Sequence, residues 1–177
     1  MGTTDKYYIE RCLDGHPDDF RYLIRRYQAP LLAHLAGKLG NRDIAEEAAQ
    51  ETLVRAYFGL GKLKKPDSYF SWLLGIATRV AKEQQRQEHR RRQQENIRTF
   101  SKEIPTPELS QDYCLEKAIA ELPDSHRKVI LLRYYGGYSC SQVAEQLDKP
   151  LGTVTKTLSR AYAALRKSLQ QESDGKL

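Results

Sequence analysis

At 177 residues the chain can hold one ordinary domain or two small ones, each with a modest core, and it is too short for a large multidomain enzyme. Lys and Arg outnumber Asp and Glu by 29 to 23, a formal charge of +6, which favours a polyanionic partner wherever the excess is clustered. Cys12, Cys114 and Cys140 lie far apart with no C-x-x-C spacing, so neither a disulfide framework nor a metal site is expected, and no cofactor is implied. No apolar stretch has signal-peptide length and none approaches the roughly 20 residues of a bilayer span, so the expected location is the cytoplasm, without membrane insertion.

Apolar residues recur at intervals of three and four nearly throughout, without sustained alternation, and the predicted fold class is all-α. A first helix spans roughly Asp5 to Leu13 and ends at Asp14-Gly15. A second starts near Pro17-Asp18, with Asp18 as its cap, carries Phe20, Leu23, Ile24, Tyr27, Leu31 and Leu35 on one stripe, and stops at Gly40-Asn41. Asp43 is placed to cap a third, in which Ile44, Ala48, Leu53 and Tyr57 are expected to face inward, leaving Glu46, Glu47, Gln50, Glu51 and Arg55 outward. After a loop from Gly59 to Pro66, DSYFSWLLGIATRVAKEQQRQEHRRRQQ begins apolar and turns polar and basic.

Residues 96–112, with Pro105 and Pro107 and little periodicity, read as a flexible linker between two small helical domains, 1–95 and 113–177. The second begins with a helix bearing Leu115, Ile119 and Leu122, and Asp124 is placed to cap the next, which carries Val129, Ile130 and Leu132. Ser139 and Gln142 form a capping-box signature at the head of a short helix with Val143, Ala144 and Leu147 on its buried side. Asp148-Lys149-Pro150 breaks that helix. In the last helix Val154, Leu158, Ala161, Leu165 and Leu169 share one stripe, while Thr155, Lys156, Ser159 and Arg160 fall opposite, with Lys149 and Thr153 at the turn. Two helices joined by a tight turn, the second presenting short hydroxyls and cations near its N-terminus, fit a DNA major groove. An amphipathic hairpin with a solvated outer face shares the same pattern.

From Arg79 to Gln94 stand six cations, Arg79, Lys82, Arg86, Arg90, Arg91 and Arg92, against Glu83 and Glu88, a net of +4. A basic helix end of this kind can hold nucleic-acid phosphates. The nearby Tyr69, Phe70 and Trp72 offer stacking faces for unpaired bases, but Phe70 and Trp72 fit better as core.

In order and spacing, three segments resemble the bacterial extracytoplasmic-function sigma factors of RNA polymerase. AEEAAQETLVRAY is similar to the family's core-binding segment, FSWLLGIATRVAKEQQRQEHRR to its promoter-opening segment, and the stretch from LPDSHRK to ALRKSL to its C-terminal helix-turn-helix. The resemblance implies no catalysis. It implies a protein that binds core RNA polymerase and directs promoter-specific initiation, as an alternative sigma factor for stress or envelope response. Its first domain would dock on the coiled coil of the largest catalytic subunit through Glu46, Glu47, Gln50, Glu51 and Arg55, and would capture and melt the upstream-ten element through Arg79, Lys82, Glu83, Arg86, Arg90 and Arg91. Its second would read the upstream-thirty-five element, near the polymerase flap, through Lys149, Thr153, Thr155, Lys156, Ser159 and Arg160. An anti-sigma factor is implied as a further partner.

The chain departs from the family pattern at Glu47-Ala48, where an Asp-Leu pair is usual, and at Arg79 and Glu83, where Asn and Asp are common. A base pocket is expected between Arg79 and Arg86, since unstacked bases need a receiving site. The competing expectation is a polymerase-independent regulator whose first domain is a dimerisation or effector module. An enzyme is disfavoured, because His16, His34, His89 and His126 are isolated from one another in sequence and no phosphate-binding glycine loop follows a strand.

Overall fold

The computed structural model describes residues 4–94 and 111–174. Eight α-helices and three short 3-10 turns make up the regular structure among them, with no strand. Most of the stretch expected to be a linker, 96–110, lies outside the described residues.

Helix α1 (Asp5–Leu13) has the expected bounds. A 3-10 turn at Pro17–Asp19 precedes α2 (Phe20–Leu39), so Asp18 lies in that turn rather than at the cap. Along α2, Phe20, Leu23, Tyr27, Leu31 and Leu35 are buried as the periodicity requires. Ala33 and His34 are buried too, because this central helix packs on more than one side. Its end is set by Gly40, whose φ of 68° is easy for glycine and lets its N–H reach the Ala36 carbonyl. Tyr27 stacks on Phe70 at 4.6 Å between centroids, and its hydroxyl donates to Asp5, which joins α1, α2 and α4.

Helix α3 (Arg42–Gly59) is capped by Asn41, whose side chain accepts from the Ile44 N–H at 3.1 Å; Asp43 lies in the first turn instead. Its buried stripe is Ala45, Ala48, Thr52 and Ala56, rotated from the one expected. Ile44 and Leu53 are half-buried, and Tyr57 is exposed with its edge against Phe20. Small side chains let α3 lie close against α2 and α4, so here steric fit outweighs hydrophobicity. Thr52 is tolerated inside because its hydroxyl donates to the Ala48 carbonyl at 2.7 Å.

Helix α4 (Tyr69–Gln94) contributes Tyr69, Phe70, Leu73, Leu74, Ile76, Ala77, Val80 and Ala81 to the core. Beyond Ala81 none of its described side chains is buried. Trp72 is half-buried, with its ring against Gly59.

The second unit comprises α5 (Gln111–Glu121), α6 (Asp124–Tyr134), α7 (Cys140–Leu147) and α8 (Leu151–Asp174). Helix α5 begins within the last two residues expected as linker. Asp124 is the first residue of α6, and Pro123 holds the cap position. Ala118, Ile119, Leu122, Val129 to Leu132, Val143, Val154, Leu158, Ala161 and Leu165 form its core.

This unit packs on the first. Arg127 is only 2% exposed and donates through Nη1 to the carbonyls of Ala120 and Leu122, at 2.6 and 2.9 Å, capping the end of α5. Its guanidinium fills the space left by Gly37 of α2, where a Cβ would overlap both it and the Ala120 carbonyl. Lys38 pairs with Asp124 at 2.9 Å, the Tyr138 hydroxyl donates to the Asp67 carbonyl at 2.9 Å, and Gln146 Nε2 donates to Ser68 Oγ at 3.1 Å. Burial would raise Asp124, but hydrogen bonds from Lys38 and Lys128 outweigh it and hold the carboxyl well below its ordinary range.

Candidate nucleic-acid and polymerase interface

The α7–α8 pair has the geometry expected of a helix-turn-helix. Ser139 Oγ accepts from the Gln142 N–H at 3.2 Å and Gln142 Oε1 accepts from the Ser139 N–H at 2.8 Å, which completes the capping box. Asp148 then turns the chain with a φ of 50°, and Thr153 N–H bonds back to the Pro150 carbonyl at 2.9 Å. Because Val154, Leu158, Ala161 and Leu165 point into the core, Lys149, Thr153, Thr155, Lys156, Ser159 and Arg160 are all exposed. Thr155 Oγ1 donates to the Gly152 carbonyl at 3.1 Å, which fixes its rotamer. Lys149, Lys156 and Arg160 have no ion-pair partner among the described residues, so their charge is available to a polyanion.

On α4, Arg79, Lys82, Glu83, Arg86, Arg90 and Arg91 are exposed as expected. A shallow cleft of about 320 Å³ is lined by Lys82, Gln85, Arg86, His89 and Arg90. None of these is a stacking aromatic of the Tyr69 to Trp72 cluster, of which Tyr69 and Phe70 are 0% and 1% exposed. A second cleft of about 320 Å³ faces Lys82 and Gln85 toward Leu122, Pro123, Asp124 and Arg127 of the second unit.

Glu46, Glu47, Gln50, Glu51 and Arg55 lie outward on α3. Arg55 binds Glu83 of α4 in a two-pronged contact, Nη1 to Oε1 at 3.1 Å and Nη2 to Oε2 at 2.7 Å, while its Nε donates to Glu51 at 2.7 Å. The bond from Arg55 lowers Glu83 below the usual carboxylate range. Two surfaces expected to act separately thus share one ion network. The sequence reading also missed Val54 and Phe58, which are 50% and 79% exposed beside Gln50, Glu51 and Arg55. Their signal was available, since both fall off the buried stripe yet are apolar.

A profile of sigma-70 region 2 matches residues 23–92, and one of sigma-70 region 4 matches residues 112–165. The chain belongs to the sigma-70 family. Similar proteins include extracytoplasmic-function sigma factors: the chain is 28% identical to the ECF RNA polymerase sigma-E factor of Haemophilus influenzae, covering 94% of this chain and 96% of that one. It is 26% identical to the RNA polymerase sigma-H factor of Pseudomonas aeruginosa, covering 94% of each. Among solved structures, the sigma factor RpoE of Bartonella quintana in complex with the anti-sigma factor NepR shares its fold, with a TM-score of 0.59 at 23% identity over 86% of this chain and 97% of that one. CnrH in complex with the cytosolic domain of CnrY does so with a TM-score of 0.56 at 20% identity, over 94% and 97%.

As a sigma factor the protein is a transcription initiation factor that binds core RNA polymerase and promoter DNA. Its first half is sigma region 2, so the expectation of an effector or dimerisation module in a stand-alone regulator finds no support. No described helix of this sigma factor is long and apolar enough to cross a membrane.

Proposed function

We propose that this alternative sigma factor divides its work among three faces within the expected domains 1–95 and 113–177, joined by 96–112. Helix α8 reads the upstream-thirty-five element: Thr155 and Ser159 approach base edges, and Lys156 and Arg160 reach guanine acceptors or phosphates, with Lys149 and Thr153 at the entry to the groove. The exposed cations of α4, Arg79, Lys82, Arg86, Arg90 and Arg91, follow the backbone of the upstream-ten element, with Glu83 among them. Helix α3 docks on the polymerase coiled coil, with Glu46, Glu47, Gln50, Glu51 and Arg55 as polar contacts and Val54 and Phe58 as apolar anchors.

The observation that carries this reading is the set of unpaired cations and short hydroxyls on the exposed stripe of α8 in the same chain as the basic face of α4. Two elements some 25 base pairs apart lie about 85 Å apart along B-form DNA. A compact chain of this length has a radius of gyration near ~16 Å. The packed arrangement of the two units therefore opens when both elements are occupied. The protein works in the cytoplasm, answers stress or envelope signals, and is held inactive by an anti-sigma factor, as the named complexes of its structural neighbours suggest.

The test is selection of promoter fragments by the full-length protein with core polymerase. Starts sharing two spaced upstream elements support the reading. Selection of one operator-like site without polymerase refutes it.

A further inference from the structure

Tyr134 and Tyr162 carry none of the roles assigned above. Tyr134 ends α6, and Tyr162 stands at the start of the fourth turn of α8; their hydroxyls are hydrogen-bonded, and their rings meet edge to face at 5.7 Å and 90°. A contact that served only to fasten two helices would be buried most effectively, yet these residues are 57% and 36% exposed. Tyr162 follows Thr155 by seven residues and Ser159 by three, so it shares their stripe on α8, which Arg166 continues. It stands roughly 10 Å further along the axis than Thr155, toward the edge of a groove occupied by the first turns. The thiol of Cys140, the first residue of α7, is near enough to act electrostatically on its phenol. In a helix-turn-helix that first helix crosses the DNA backbone.

The chemistry of the pair suits a phosphate. When one phenol donates to another, the acceptor keeps its own O–H for an outside acceptor, and the inner bond polarises it. Burial, followed by the hydrogen bond to Tyr134, pushes Tyr162 up to about 12, so it remains protonated at working pH. Arg133 is exposed beside the pair; its Nη1 donates to the Tyr138 carbonyl at 3.4 Å, leaving other donors of the fork for an anion.

We propose that the paired hydroxyls of Tyr134 and Tyr162 clamp a backbone phosphate of promoter DNA at the rim of the groove that α8 enters. This deepens the reading of α8 given above and rests on it. The clamp fixes the register of the helix and carries no sequence information of its own.

The test uses full-length protein bound to core polymerase and titrated with a fluorescent promoter duplex at several salt concentrations, comparing wild type with Tyr134→Phe, Tyr162→Phe and the double variant. Each single change is expected to weaken binding about three- to tenfold, and the double change no more than about as much, since the pair acts as one relay. The factor is the same on duplexes with single-base changes in the upstream-thirty-five element. The salt slope does not move, because a neutral donor displaces no counterion. Variants that melt earlier but bind like wild type would make the pair a fastener only, and a loss confined to one base would make it a base reader; either overturns the clamp. A wild type that binds no promoter with polymerase overturns the reading beneath it as well.

Discussion

Adding one methyl group at Gly37 tests whether the packed arrangement of the two units is held by steric fit. The Cβ of Gly37→Ala overlaps the Arg127 guanidinium and the Ala120 carbonyl. The first obstacle is a side chain anchored by three hydrogen bonds and only 2% exposed, and the second is backbone, so neither yields cheaply. Overpacking of this kind costs about 1–3 kcal/mol. Within α2 itself the change is favourable by about 1 kcal/mol, because alanine is the better helix former. The two effects therefore have opposite signs in two parts of the molecule. Hydrogen exchange should show equal or greater protection in α2 but lower protection in α5 and α6, and the closed-to-open ratio should fall by roughly 5- to 150-fold. Small-angle scattering should show growth from a compact radius of about 16 Å. Where core binding requires opening, its apparent affinity rises by no more than that factor. Unchanged scattering and unchanged protection in α5 and α6 would refute the reasoning.

His34 supplies a pH prediction. Burial first, then the charges of Lys38 and Arg127, lower it to about 3 from the ordinary histidine value of 6.5, and its Nδ1 has no hydrogen-bond partner among the described residues. Because the unfolded chain binds a proton that the folded chain refuses, stability falls as pH drops below 6.5. The loss between pH 7 and pH 5 is about 2 kcal/mol, and urea melts of His34→Leu should lack that component. Lys156→Ala and Arg160→Ala should each weaken promoter binding about tenfold or more, with a smaller salt slope where the contact is a phosphate and a base-specific loss where it is guanine; unchanged titrations would remove them from the reading surface. Phe58→Ser, at a site 79% exposed, should leave the unfolding midpoint nearly unchanged while weakening core polymerase binding more than about tenfold, measured by competition with another sigma factor. Arg55→Ala should also spare stability, since its partners are exposed, yet alter both core binding and upstream-ten contacts through the loss of Glu51 and Glu83.

The helix-turn-helix was legible in the sequence because its devices are local. Ser139 and Gln142 cap within one turn, Asp148 to Pro150 break the chain, and the stripe from Val154 to Leu165 has a clear period. The bounds of α1 and the end of α2 at Gly40 follow from equally local signals. The phase of α3 was not legible, because its buried face is made of alanine and threonine, and the value of a small residue depends on how closely a neighbouring helix approaches. For the same reason Gly37 and Arg127 gave no sign of meeting: they stand far apart in the sequence and fit only in three dimensions. The link between Arg55 and Glu83 is another long-range pairing, and it joins residues that the periodicity had assigned to different surfaces. Exposed Phe58 was readable in principle, but a stripe drawn through Tyr57 drew the pattern one position away.

The most direct test of the central claim is transcription by core RNA polymerase with and without the purified protein, on a template carrying a promoter selected by the pair. The account predicts discrete starts that appear only with the protein and require both upstream elements, and that weaken with Arg160→Ala on one side and Arg86→Ala on the other. Starts that persist without the protein, or a protein that binds one DNA site alone and leaves the polymerase unchanged, would contradict it.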